Sequence, residues 1–376
     1  MPVSDIETLF FRPVPTSAEE LSERRRQTSN GFQPPPIKQS NCPYRMHLAD
    51  LLPGRTRTIE EAGQLAFHMV GDTGGIHGRG AQQNVADHMT RQVYSRELIE
   101  QPSFFYHLGD VVYYEGHESQ YHDQFYHPYQ NYPAPIFAIP GNHDGSVTET
   151  SHSSLVPFMR HFCADEPTHS IAAGHSDRPT MTQPNCYWTL IAPFVTVVGL
   201  YSNVTGELDN TDRRETTQRD WLAGELGDAP TDRALLIAVH HSPYSLGNHG
   251  WTPRVGDAID WAIKKTGRFP DAVFSGHDHN YQRFTRDWDD RRIPYVVAGA
   301  GGNGGYDLPR IKRNVSAPSW LRLKSSSDQH PGFLRISVNR DALVGRYYAV
   351  PGPGRENDPA RRIDKFTLDL RTHKIK

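Results

Sequence analysis

The stretch "GNHDGS", Gly141 to Ser146, sets an amide, an imidazole and a carboxylate on three successive residues directly after the apolar run Ile136 to Ile139 and a proline. The pattern recurs. Asp72 follows "AFHMV", Asp110 and Tyr113 stand in "YHLGDVVYY", His240 and His241 in "LIAVHHSPY", and His277 and His279 in "VFSGHDHNYQR". Strand ends that run into loops are the usual ligand-bearing positions of layered α/β folds, because the sheet fixes the side chains while the loops leave room for a substrate.

Outward from Gly141, the chain reads as short apolar runs that each stop at a polar loop: "SFFYHL" before Gly109, "PIFAI" before Pro140, "FVTVVGL" at Phe194 to Leu200, "ALLIAV" before His240 and "AVFS" before Gly276. Helical patterns lie between them. "AQQNVADHMTRQVYSRELI" spaces Val85, Met89, Gln92, Val93 and Leu98 mostly at helical intervals, "TQRDWLAGEL" sets Trp221 and Leu222 beside Leu226, and "GDAIDWAIKK" supplies Ala258, Ile259, Ala262 and Ile263. The close is strand-rich, with "YVVAGA", "FLRISV", "LVGRYYAV" and the alternating "FTLDL". Helices fall mainly between the early and middle strands, so the expected class is α/β: a four-layer αββα sandwich with two sheets inside and helices outside.

At 376 residues the chain can bury roughly three quarters of its unfolded surface without covalent staples. Its 31 Gly and 29 Pro, with 36% hydrophobic and 22% charged residues, suit a globular protein with long loops more than a helical bundle. Residues 1–60 are polar and proline-rich, including "GFQPPPIKQSNCPY", and read as an irregular N-terminal arm on a main body of residues 61–376. A PPII-like "QPPPIK" could also dock in an aromatic groove of a partner, which keeps a scaffold role open.

The formal charge of -3 attracts no nucleic acid as a stable partner, and "DDRRIP" and "DPARRID" are short and mixed with acids, as solvated loops are. Three cysteines, Cys42, Cys163 and Cys186, without a CxxC, signal neither a disulfide framework nor a thiolate zinc site. Cys163 and Cys186 are either buried thiols or a single bridge in an oxidising compartment. The first residues, "MPVSDIETLFFRPVP", lack a basic region followed by an apolar run, and no stretch is long and apolar enough to span a bilayer. As given, the chain reads as cytoplasmic; a removed leader would make it periplasmic or secreted.

Singly, each polar cluster has a plain reading. "GD" after a strand is often only a turn, and a histidine is often a cap or a satisfied core group. Together they are hard to explain that way. Oxygen and imidazole donors without thiolates suit Mn, Fe, Zn, Ni or Co, and a loop just past a strand can turn both imidazoles of "HDH" toward adjoining ions. Two ions roughly 3.5 to 4 Å apart, sharing a carboxylate, can clamp the attacking and departing oxygens of a phosphoryl transfer. The glycine-rich "VAGAGGNGGYD" is either an active-site loop or a surface turn.

The order "GDTG", "GDVVY", "GNHD", "HHSP", "GHDH" over about Val70 to His279 resembles the calcineurin-like metallophosphoesterase superfamily, whose fold is the same αββα sandwich. That superfamily usually opens with Asp-x-His, whereas Asp72 is followed by Thr73 and Gly74. Tyr113, three residues after Asp110, instead makes the pairing similar to the purple acid phosphatases, in the small form that consists of the catalytic domain alone. "GHDHNYQR" resembles that family's GHxHxYER, with Gln282 in place of Glu.

The resemblance implies one ion held by Asp72, Asp110, Tyr113 and His279, and a second held by Asp110, Asn142, His241 and His277. His241 is preferred to His240 because it stands in a His-x-Pro context; His240 then packs or supports. Tyr114 stays a rival to Tyr113. A phenolate ligand favours Fe(III) in its site, with Fe(II), Zn(II) or Mn(II) in the other. His143 is expected at the phosphate or the leaving oxygen, Asp144 as the group orienting His143, and His249 as the donor of a proton to the departing alkoxide or else a solvated loop residue. Tyr244, Trp251, Tyr281 and Tyr306 are candidate pocket walls, with Asn303 near the phosphate. The activity implied is hydrolysis of small phosphate monoesters by in-line attack of a metal-bridging hydroxide; the alternative is a phosphodiesterase or nucleotide hydrolase with the same centre.

Overall fold

A computed structural model describes residues 38–75, 80–95, 97–146, 154–203, 208, 218–309, 317–352 and 354–376. Its strands form two sheets. The larger takes, in spatial order, β1 (Arg45–His47), β5 (Trp188–Ala192), β6 (Val195–Leu200), β7 (Ala234–Val239), β8 (Ala272–Ser275), β10 (Arg291–Ala298), β9 (Tyr281–Trp288) and β11 (Leu321–Ser327). The smaller takes β15 (Lys374–Ile375), β14 (Arg361–Asp369), β13 (Ala342–Ala349), β12 (Gly332–Val338), β2 (Leu65–Val70), β3 (Pro102–His107) and β4 (Ile136–Ala138).

Strands β2, β3 and β4 run parallel, as do β6, β7, β8 and β10. Every residue of β2, β3, β7 and β8 is buried. That is why their sequences are continuous apolar runs and not alternating ones: parallel strands in the middle of a sandwich are covered on both faces. The sheets meet face to face through aromatic contacts such as Tyr106 of β3 stacked on Trp188 of β5 at 5.9 Å, within a core cluster drawn from both sheets.

Helices cover the outer faces. Helix α1 (Leu48–Leu51), α2 (Pro53–Ala62) and α3 (Gly80–Val93) precede or connect the first polar loops; α4 (Asn142–Gly145) and α5 (Val156–Phe162) are short; α6 (Gln218–Asp228) and α7 (Pro253–Thr266) lie against the larger sheet. Helix α7 shows why these segments are helical. Val255, Ala258, Ile259, Ala262 and Ile263 recur at one helical face and are buried against Val198, Leu235, Ile237 and Val273. Pro253 opens it, Gly267 in left-handed backbone (φ 69°) closes it, and Lys264 and Lys265 sit in its last turn. Burial of each such aliphatic side chain contributes about 1.5–3 kcal/mol, so Ile259→Ala would cost about 2–5 kcal/mol.

The layers agree with the expected αββα sandwich; two details differ. Regular structure begins inside the arm expected over residues 1–60: β1 pairs with β5 at the edge of the larger sheet, through Arg45, Met46 and His47 opposite Thr189, Leu190 and Ile191. Backbone pairing there needs no apolar periodicity, so the sequence carried no sign of it. Residues 1–37, with most of "QPPPIK", lie outside the described residues. Helix α3 also stops at Val93, and Leu98 falls in a separate short turn, Leu98–Glu100. Cys42, Cys163 and Cys186 are all free thiols, the last two buried.

Candidate metal centre

The polar clusters all follow the carboxyl ends of strands: Asp72 after β2, Asp110 and Tyr113 after β3, Asn142 and His143 after β4, His240 and His241 after β7, His277 and His279 after β8. Parallel pairing within each sheet opens these ends onto one edge of the sandwich. Backbone bonds join the loops: Asp72 N–H donates to Gly109 O at 2.9 Å, Gly276 N–H to His240 O at 3.1 Å, and Gly71 N–H to Ala298 O of the other sheet at 2.9 Å.

Asp72, Asp110 and His277 all take left-handed backbone, with φ of 58°, 53° and 69°. Each such residue bearing a Cβ costs roughly 1–2 kcal/mol. Strain of this kind persists only where the surroundings over-determine it, and it clusters at functional sites. Close approach is also built in at Gly141, where a Cβ would stand 2.1 Å from Asp110 Oδ1.

On one side of Asp110, Tyr113 Oη lies 3.2 Å from Asp72 Oδ1 and 3.3 Å from His279 Nε2, and the last two atoms are 3.5 Å apart. His279 Nδ1 donates to the Gly304 carbonyl at 2.9 Å, so the neutral ring turns a lone pair on Nε2 toward the carboxylate and the phenol. On the other side, His240 Nδ1 donates to Leu108 O at 2.9 Å while Nε2 lies 3.2 Å from Asp110 Oδ2 and 3.1 Å from Asn142 Oδ1. A neutral His240 would aim its lone pair at two further acceptors. On the first side the Tyr113 hydroxyl donates to Asp72; around His240 the acceptors meet without a donor and need a cation among them, either a proton or a metal ion. Asp110, His240 and His277 offer ligand atoms all within 4.8 Å of one another. The donors therefore fit metal ions, and their all-oxygen-and-imidazole chemistry is that of Mn, Fe, Zn, Ni or Co.

The electrostatics match this crowding. Burial opposes ionisation of Asp110, yet the His240 and His143 charges and hydrogen bonds hold its carboxyl well below the usual range. Burial also opposes charge on His240, and Asp110 overrides it to push the imidazole up to about 9. Burial, then Asp110 and Asp72, push the Tyr113 phenol up.

The adjacent tyrosines make different contacts. Tyr113 reaches Asp72, whereas Tyr114 offers its carbonyl to His143 Nδ1 at 2.7 Å. His241 is tied through Nδ1 to Ser202 Oγ at 2.8 Å, with its ring 4.3 Å from that of His277. His240 stands in direct contact with the Asp110 carboxylate.

Asp144 does not orient His143. Its carboxylate accepts the backbone N–H groups of Val111, Val112 and Gly141 at 2.8–3.1 Å, and so fixes the loop that carries Asp110; the Tyr114 carbonyl does the orienting. Burial, then the Asp110 charge, push Asp144 up to about 7. His249 is exposed, with its ring 4.1 Å from His277. Asn303 is buried, donates its N–H to Asp72 O at 3.1 Å and hydrogen-bonds the Tyr113 side chain. Trp251 and Tyr306 are half-buried. Tyr244 is buried among Trp251, Tyr295 and Trp320. Tyr281 is not a pocket wall, being fully buried and stacked on Tyr347 at 3.9 Å.

One contributor escaped the sequence reading. His107 accepts Gly109 N–H through Nδ1 at 3.2 Å and donates from Nε2 to Thr73 Oγ1 at 2.9 Å, linking the first two loops. Its signal was a lone imidazole inside the apolar run "SFFYHL".

A family profile for calcineurin-like phosphoesterases matches residues 65–281, the span that holds all of these candidate ligands. The chain belongs to that family. A search of curated proteins finds no match. Among solved structures, this phosphoesterase is similar to the purple acid phosphatase PPD1 from yellow lupin (Lupinus luteus) seeds, with 15% identity and a TM-score of 0.60 over 81% of this chain and 54% of that one. It thus spans about half the length of the lupin protein. It is also similar to GAP50, the anchor in the inner membrane complex of Plasmodium (13% identity, TM-score 0.56, 81% and 89% covered), and to PhoD (14%, 0.50, 84% and 71%). At these identities the likeness is one of fold. No helix among the described residues is long and apolar enough to cross a membrane.

Proposed function

We propose that this calcineurin-like phosphoesterase hydrolyses small phosphate monoesters with two metal ions, in the manner of the purple acid phosphatases. The observation that carries the reading is the meeting of Asp72, Tyr113 and His279 on one side of Asp110 and of Asn142, His240 and His277 on the other. One ion would be held by Asp72, Asp110, Tyr113 and His279. The second would be held by Asp110, Asn142, His241 and His277, with His240 against the shared carboxylate. A Tyr113 phenolate suits Fe(III), with Fe(II), Zn(II) or Mn(II) opposite. Such a pair, when bound, neutralises charge on the phosphoryl oxygens and acidifies water.

The chain's own side chains would do the rest. His143, committed through Nδ1 to the Tyr114 carbonyl, would donate from Nε2 to a phosphoryl oxygen only as an imidazolium, with both ring nitrogens protonated. His249, exposed beside His277, would give a proton to the departing alkoxide, a step typically worth about 10²–10⁴-fold. The P–O bond to the alcohol breaks, a P–O bond to the oxygen of water forms, the alkoxide takes the His249 proton, and of the two protons of water one stays with the phosphate and one returns to His249. Trp251 offers the organic part of the ester an aromatic face.

The test joins elemental analysis of protein purified without added metal to kinetics on parallel monoesters and diesters. About two transition-metal ions per chain and higher kcat/KM for monoesters are expected. Metal-free active protein would overturn the reading, and higher efficiency on diesters would reassign the centre to a phosphodiesterase or nucleotide hydrolase.

A further inference from the structure

From Asp278 onward the chain alternates sides. Tyr281 and Arg283 reach across to the smaller sheet, where Tyr281 stacks on Tyr347 and donates to Asp364 Oδ2 at 2.6 Å, and Arg283 pairs with the same carboxylate at 2.7 and 3.0 Å. Asp278 and Gln282 face the loop from Ser245 to His249, and Asn280 between them meets Gln282 and donates to the Asp307 carbonyl at 3.3 Å. Asp278 Oδ1 accepts His249 N–H at 2.9 Å. Gln282 Oε1 accepts Leu246 N–H at 2.7 Å, and its Nε2 donates to Ser245 Oγ at 2.7 Å and to Asn280 Oδ1 at 2.8 Å. Ser245 Oγ also accepts Gly247 N–H at 3.0 Å.

All of these HxH-strand side chains are buried. Gly247 packs so tightly on Asp278 that a Cβ would stand 2.3 Å from Oδ1 and 2.8 Å from Oδ2. Asp278 Oδ2 is itself buried with no hydrogen-bond partner among the described residues. A buried carboxylate oxygen left without a partner costs stability, which core packing alone does not explain. The exposed His249 imidazole is placed through its backbone, and that backbone hangs on Asp278.

We propose that Asp278 and Gln282 are positioning residues that clamp the Ser245 to His249 loop, so that the His249 imidazole stands against the metal centre. The proposal rests on the reading of His249 as proton donor. It also explains why the stretch between the two ligand histidines and Arg283 is polar at every second residue: one set braces the sheets, the other holds the loop.

The test compares the wild type with Gln282→Ala, Gly247→Ala, Asp278→Ala and the conservative Asp278→Asn, which keeps an acceptor for His249 N–H. Amide exchange on metal-free protein is expected to speed up roughly fivefold at Leu246 in Gln282→Ala and at His249 in Asp278→Ala, the effect of losing one hydrogen bond. On loaded protein with unchanged metal content, the alanine variants should lose about 10- to 100-fold in kcat on alkyl phosphates and much less on nitrophenyl phosphate, whose leaving group needs no proton. Asp278→Asn should recover most of that loss. Unchanged exchange at both amides overturns the clamp whatever the activity. Faster exchange with equal losses on both substrates overturns the positioning role. A wild type inactive on every monoester would overturn the functional reading instead, while exchange would still decide the clamp.

Discussion

His240 Nε2 lies 3.2 Å from Asp110 Oδ2, and both side chains are almost completely buried. Since Nδ1 of the same ring is committed to the Leu108 carbonyl, Nε2 either carries a proton or faces a cation. On the proposed reading, His240→Ala would remove a direct neighbour of the carboxylate that bridges the ions and lower bound metal from about two ions to about one. His241→Ala should do the same, because its ring stands beside His277. Elemental analysis of both variants is the check; two retained ions in the His240 variant would reduce that residue to packing.

Tyr113 Oη sits 3.2 Å from Asp72 Oδ1. Native protein holding Fe(III) there should show a broad visible charge-transfer band that Tyr113→Phe abolishes and Tyr114→Phe leaves in place. An absorption spectrum with matched metal analysis decides it, and iron-free active protein with an unchanged spectrum would remove the purple subtype.

Gly141 leaves no room for a side chain, because a Cβ would stand 2.1 Å from Asp110 Oδ1 and 2.3 Å from the Asp110 backbone nitrogen. Gly141→Ala should displace the Asp110 loop, with a stability loss of about 1–3 kcal/mol and weakened metal binding. Denaturant unfolding of metal-free protein separates the first effect from the second.

Asp364 on β14 accepts hydrogen bonds from Arg283 and Tyr281 on β9 and so ties the two sheets together. Burial would raise its pKa, but Arg283 and Tyr281 outweigh it and hold the carboxyl below its ordinary value. A depressed folded pKa contributes stability that is complete above the unfolded value of about 3.9 and is lost as pH falls through the lower folded value. Asp364→Asn should therefore destabilise the protein at neutral pH and flatten the acid limb below about pH 4. Thermal unfolding across pH would show the two stability curves converging as acid is added; a constant gap would contradict the assignment.

Much of the architecture was legible because parallel strands covered on both faces must be apolar throughout, and "ALLIAV" and "AVFS" could end only where polar side chains become affordable. Helix α7 was legible for a related reason, its apolar residues keeping one helical face. Strand β1 was not, since an edge strand of three residues is specified by backbone pairing with β5. The end of α3 at Val93 also escaped notice, because apolar spacing alone continues to Leu98.

By itself, the sequence determined which residue types stand at the five strand ends, and with them the αββα class and the candidate metal-ligand donors. Only the tertiary structure decided that Tyr113 and not Tyr114 meets Asp72, that Asp144 caps backbone amides and leaves His143 to the Tyr114 carbonyl, and that His240 presses on Asp110. The reason is geometric. Residue identity fixes what a side chain can donate or accept, but the direction it points after a strand end depends on a left-handed turn such as those at Asp72, Asp110 and His277, and those turns are held by contacts from distant parts of the chain.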